Sequence, residues 1–157
     1  MSVRRAVFFD IENSNRIEHV ALILAHLGLP AGGGDTVLWA IGNWRVVSYE
    51  AARLLSDAGA TLVHSAPAFG VKDWSDLRIA VAAGLWLGSA RPGDRMDVVS
   101  DDRAFDAIGD LAVRHGVAFR RLSARMLARG APVPAVPRRG RRRRGRRLAA
   151  AATVAHG

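Results

Sequence analysis

Apolar residues along this chain keep two spacings, and the two alternate. In "AVFFD" (6–10), "TVLWAI" (36–41), "TLVHSA" (61–66), "RMDVVS" (95–100) and "VAFRRL" (117–122), apolar residues rich in β-branched and aromatic types crowd together as in buried strands. Between them, apolar residues recur every three to four positions. This spacing predicts helices over "IEHVALILAHL" (17–27), "WRVVSYEAARLLSDAG" (44–59), "SDLRIAVAAGLWLG" (75–88) and "RAFDAIGDLAVRHG" (103–116), with a last helical turn in "SARMLARG" (123–130). "PAGGGD" (30–35) reads as a turn and "PAFGVKDW" (67–74) as a loop, with Ser75 expected to cap the helix that follows.

Strand followed by helix, five times over, predicts an α/β fold: a doubly wound, mostly parallel five-stranded sheet with helices on both faces. In such a sheet ligands bind outside the carboxyl ends of the strands, where the strand order reverses. For the order 3-2-1-4-5 the reversal lies between the first and fourth strands. Those strands end in Asp10 and in the pair Asp101-Asp102.

Acids cluster in the segments that reach this edge. The first strand delivers Asp10, Glu12 and Asn13, the loop before the third long helix Lys72, Asp73 and Asp76, and the fourth strand Asp101, Asp102 and, one turn on, Asp106. Carboxylates held together repel unless a cation intervenes, and a hard, oxygen-preferring ion such as Mg²⁺ or Mn²⁺ relieves that repulsion. Each acid also has a plainer role open to it. Asp101 or Asp102 suits a helix N-cap, and Asp76 suits a first helical turn. Glu12 and Asp73 read as solvated. Asp10, directly behind four apolar residues, needs a partner or a water-filled cleft.

Composition narrows the field. The sequence has 157 residues, half of them hydrophobic, and no apolar run near the length of a membrane span. The opening "MSVRRAVFFD" is too short in its apolar part for a signal peptide. No cysteine is present, so disulfide, thiolate and cysteine–zinc chemistry are excluded and a cytoplasmic location is expected. Neither G-x-G-x-x-G after the first strand nor a P-loop occurs, and no nucleophile elbow is present. A phosphatase of the haloacid-dehalogenase type would use Asp10 as nucleophile, but D-x-D-x-T is missing. His19, His26, His64, His115 and His156 are scattered, and Trp39 and Trp86 lie in apolar runs and read as core. Trp74, in a polar loop, is the candidate to stack on a nucleic-acid base.

With these residues together, the chain from about Val3 to Ser123 resembles the NYN domain, a branch of the PIN-like metal-dependent ribonucleases. "FFDIEN" resembles the family's opening strand with D-x-x-N, marking Asp10 and Asn13. "KDWSDLRIAVAA" resembles its K-x-x-x-D-L segment, marking Asp76 and Lys72, and "VVSDDRAFDAIGDLAVRHG" resembles its S-G-D-x-D-F segment, marking Asp102. Asp101 stands where the family often has glycine, and Ala104 where it often has a second aspartate. The resemblance implies Mg²⁺- or Mn²⁺-dependent RNA cleavage, with Asp10, Asp76 and Asp102 holding the metal and Asn13 and Asp101 completing the catalytic set. Ala104 leaves an alternative open, a module that binds RNA without cutting it. RNA is the expected partner, met by Lys72, Trp74 and Arg103; no membrane is implied, and a homodimer is left open.

The formal charge of +9 belongs to the end of the chain. "RRGRRRRGRR" (138–147) holds eight arginines, including Arg141, Arg142, Arg143 and Arg144, without which the net charge falls to +1. The chain thus divides into a globular domain over 1–129 and, over 130–157, a Pro-containing linker ("GAPVPAVP") with an Arg-rich tail expected to be disordered. Such a tail grips phosphates without reading sequence. A chain ending at Gly130 should bind single-stranded RNA more weakly than the full chain and with a flatter salt dependence, as read by fluorescence anisotropy across a salt series. Equal affinity and equal slope would remove the tail as the main grip.

Overall fold

The computed structural model describes residues 2–29, 34–67 and 70–130. The linker from Ala131 and the arginine run, with Arg141, Arg142, Arg143 and Arg144, lie outside the described residues. The strands are β1 (Arg5–Asp10), β2 (Thr36–Gly42), β3 (Thr61–His64), β4 (Arg95–Val99) and β5 (Ala118–Leu122). The helices are α1 (Ile17–Leu27), α2 (Tyr49–Asp57), α3 (Trp74–Leu87), α4 (Asp106–Arg114) and α5 (Ala124–Ala128). All four strand pairings are parallel, in the order β3-β2-β1-β4-β5, so the doubly wound sheet expected from the sequence is the one observed.

Alternation along β1 divides the core in two. Ala6 and Phe8 face α3 and α4, packing with Ile79, Ala83, Phe105 and Ile108. Val7 and Phe9 face the opposite layer, with Val20 and Ile23 of α1, Leu55 of α2 and Ala124 of α5. Because β1 is central and covered on both faces, its run is apolar without interruption until Asp10. α4 approaches the sheet closely through Gly109, where a Cβ would stand 2.5 Å from the Phe119 ring.

Ion pairs fix the strands away from the carboxyl edge. Asp97, 2% exposed, lies between Arg5 of β1 and Arg120 of β5, at 2.7 Å from each guanidinium. Asp94 accepts from the Arg4 and Arg91 backbone N–H groups at 3.0 and 2.8 Å and pairs with the Arg4 guanidinium at 2.9 Å. Burial pushes the Asp94 carboxyl up, but these donors and the Arg4 charge outweigh it and hold the group below its ordinary range. β4 is thereby locked between its neighbours before it reaches the acidic edge.

Two predicted helices begin later than their apolar spacing suggests. In 44–59 only Trp44–Val46 form a 3₁₀ turn, and α2 starts after Ser48, whose hydroxyl accepts from the Ala51 N–H at 3.2 Å. In 103–116 a 3₁₀ turn (Arg103–Phe105) precedes α4. The third helix begins at Trp74 behind Asp73, which adopts a left-handed conformation (φ 59°) without a side-chain cap bond. Ser75 is not the expected cap: it is buried within the first turn, and its hydroxyl is used elsewhere. Among the described residues, no helix is long and apolar enough to cross a membrane.

Candidate acidic site at the sheet edge

The register of β1 on β4 pairs Phe9 with Val99, so the next residues, Asp10 and Ser100, emerge side by side. Both are fully buried. The Ser100 hydroxyl donates to Asp10 Oδ2 at 2.8 Å and accepts from the Asp102 backbone N–H at 3.1 Å. One serine therefore links the acid of β1 to the turn that carries the acid of β4.

Asp10 is held from its own loop as well. Asn13 donates through Nδ2 to Oδ2 at 2.6 Å and through its backbone N–H to Oδ1 at 3.4 Å. Burial raises the Asp10 pKa above the ordinary value, the Asn13 and Ser100 hydrogen bonds pull it back, and the nearby Glu12 charge raises it again. Burial prevails. D-x-x-N is thus a local unit in which the asparagine sets the direction of the carboxylate.

Asp76, in the first turn of α3, is raised to about 6. Burial is the largest cause, followed by the charges of Asp10, Asp102, Asp73 and Glu12. Acids from β1 and from the turn after β4 therefore act on Asp76 at the start of α3, beside the switch point of the sheet. Asp102 also answers the capping alternative: its Oδ1 accepts from the Ala104 N–H at 2.8 Å and caps the 3₁₀ turn. Capping and membership of the acidic group coexist in one side chain.

The other candidates separate. Asp101 turns away from this group: its carboxylate accepts from the Ser123 hydroxyl and pairs with Arg125 at 2.9 Å, tying α5 to the β4 turn. Lys72 and Arg103 are exposed beside Asp73 and Asp102 in the chain. Trp74 is 40% exposed and lines an apolar groove beside α3.

No protein-family model matches the sequence, and no curated protein matches it.

Four residues here escape a reading of motifs alone. Ser100 is one; its signal is its place one residue beyond the strand, level with Asp10. Glu12, read as solvated, accepts from the Asn43 backbone N–H and from the Ser75 hydroxyl, each at 2.9 Å, and so joins the ends of β1, β2 and α3. Gly42 (φ 152°) lets β2 pass this loop, since a Cβ there would meet Ile11 at 2.5 Å. Arg121 of β5 donates to the Ser100 and Asp101 carbonyls at 3.1 and 3.5 Å and to Asp106 at 2.8 Å, clamping the turn between Ser100 and Asp106.

The donor chemistry fits a hard divalent cation: every acidic group is an oxygen ligand, and their mutual repulsion is the charge a cation would neutralise. Among the described residues, no three acidic or histidine groups stand as a ready-made ligand set.

The raised Asp76 pKa has a testable sign. Its charged form is disfavoured in the folded chain, so the cost is absent below the ordinary value of 3.8, grows as pH rises, and is complete above about 6. In EDTA at about pH 7.5, Asp76→Asn should unfold roughly 2–5 °C above the parent chain, and the gap should close toward about pH 4. Adding Mn²⁺ at the higher pH should stabilise the parent chain more than the variant. A difference between variant and parent no larger at the higher pH than at the lower would mean that Asp76 carries no such cost. Thermal unfolding followed by circular dichroism makes the comparison.

Proposed function

We propose that the chain is a metal-dependent ribonuclease of the PIN-like, NYN type, cleaving RNA phosphodiester bonds within the strand. One observation carries this reading: the charges of Asp10 at the end of β1 and of Asp102 in the turn after β4 reach Asp76 at the start of α3, at the carboxyl edge where a doubly wound sheet takes its ligands. The blocks around Asp10, Asp76 and Asp102, which resemble that family in order and spacing, supply the reaction class.

Asp10, Asp76 and Asp102 would hold Mg²⁺ or Mn²⁺. Such an ion, when bound, lowers the pKa of water and offsets the charge that develops on a phosphate during in-line attack. The chain's own part is positioning and proton control. Asn13 and Ser100 fix the Asp10 carboxylate from two sides, and Arg121 holds the turn that carries Ser100 and Asp102. Asp76 keeps its proton below about pH 6 and must release it before taking up a cation, so metal affinity rises with pH through that range. Lys72 and Arg103 would pair with phosphates, while Arg141, Arg142, Arg143 and Arg144 add grip from the tail. The absence of cysteine suits the cytoplasm as the place of action.

A second reading has its own support. Ala104 and the lack of a ready-made ligand set among the described residues favour a body that binds RNA without cutting it. Cleavage of an end-labelled single-stranded RNA in Mg²⁺, Mn²⁺ or EDTA separates the two. Internal cuts should appear with either ion and vanish in EDTA, and Asp10→Asn should lower the rate by about 100-fold or more. Activity that persists in EDTA sinks the mechanism; tight binding without turnover under any divalent ion transfers the case to the binding module.

A further inference from the structure

The helix that carries Asp76 has a second unusual property. Between Leu77 and Leu87 its only charged residue is Arg78. The side turned from the core shows Leu77, Val81 and Leu85, four residues apart and 59%, 63% and 75% exposed. α2 and α4 behave differently, with exposed faces bearing Glu50, Arg53 and Asp57 and Asp106, Asp110 and Arg114. A helix apolar on all sides is ordinarily buried on all sides. Beside this ridge runs a groove of about 640 Å³, floored by Trp39, Ile41 and Val63 of the sheet. Among the described residues no helix covers that part of the β2–β3 face.

We propose that this face of α3 is the interface of a homodimer, with the ridge of one copy seated in the groove of the other. Three features select a second copy as the occupant. Ridge and groove lie side by side on one surface, as a two-fold isologous contact requires. The face carries one charged residue, Arg78, so a second copy brings a single charge to it and one that the packing must keep from its equal. Around a two-fold axis near Val81 the α3 helices run antiparallel, which sets Arg78 of one copy against Gly84 of the other. Like charges do not meet, and Gly84 has open space on its exposed side.

Size is sufficient. The 14 residues of α3 span about 21 Å, and with the groove the face is roughly 20 Å wide. Two such faces bury on the order of 1,000 Å², the size range of weak, reversible dimers. Each dimer would present two acidic crevices and two tails.

The full chain, freed of nucleic acid and kept at about 0.5 M salt to screen the tails, should sediment as a dimer at about 100 µM and dissociate toward about 1 µM. Val81→Lys puts two ammonium groups at the axis and should leave a monomer throughout that range, with an unchanged circular dichroism spectrum. Because the chain has no cysteine, Val81→Cys adds a single thiol that should oxidise to a covalent dimer. Val113→Cys, exposed on α4, should stay monomeric under the same oxidation. A parent chain that is monomeric at about 100 µM overturns the proposal, including the case in which hydrogen exchange finds the face covered by the chain's own tail. So does a Val81→Lys variant that still dimerises, or a Val113→Cys variant that crosslinks as fast as Val81→Cys.

Discussion

The Ser100 hydroxyl, donating to a wholly buried Asp10 across the seam between β1 and β4, is the contact on which the acidic edge depends. A carboxylate at the end of a central strand loses the water that would stabilise its charge, and only donors supplied by the fold restore part of it. Ser100 is such a donor, and its oxygen also accepts from the Asp102 N–H. The strand order sets Ser100 beside Asp10, because only with β4 next to β1 do both strands release their acids into one crevice. Function, on this account, begins with topology.

Around that seam the supporting contacts come from every neighbouring element. Glu12 joins the loop after β1 to Asn43 and to Ser75 of α3, Gly42 makes room for that loop, and Arg121 clamps the turn after β4 from β5. Asp101 ties the same turn to α5 through Ser123 and Arg125. At the other end of the sheet Asp94 and Asp97 are paired with arginines of the adjoining strands. The paired acids are structural; Asp10 and Asp76 are instead held above the ordinary carboxylate range, chiefly by burial. That contrast, between acids paired with arginine and the raised carboxyls of Asp10 and Asp76, is what separates scaffold from candidate site.

Much of this was legible in the sequence. The period of the apolar residues predicts every strand and helix, and the order 3-2-1-4-5 is the one that brings the acid-ended strands together. What escaped depends on contacts between segments distant in the chain. Nothing local shows that Ser75 will serve Glu12 instead of capping its own helix, or that Asp101 will turn to Arg125. Ser48 shortens one helix because its hydroxyl satisfies a backbone donor inside the apolar pattern, and Asp102 caps a 3₁₀ turn ahead of another, which a period alone does not register. The exposed ridge of α3 escaped for the opposite reason: a helix apolar all round reads as core, and only the fold shows which side is uncovered.

The central claim is that the crowded acids at the β1–β4 switch point form a cation site. Titration of the full chain with Mn²⁺, followed by the electron paramagnetic resonance of the free ion, tests it without reference to turnover or substrate. The account predicts saturable binding near neutral pH that weakens as the pH falls through about 6, where Asp76 takes up its proton, and that is lost in Asp10→Asn. Binding that is equally strong in Asp10→Asn, or no saturable binding by the parent chain at neutral pH, would contradict it.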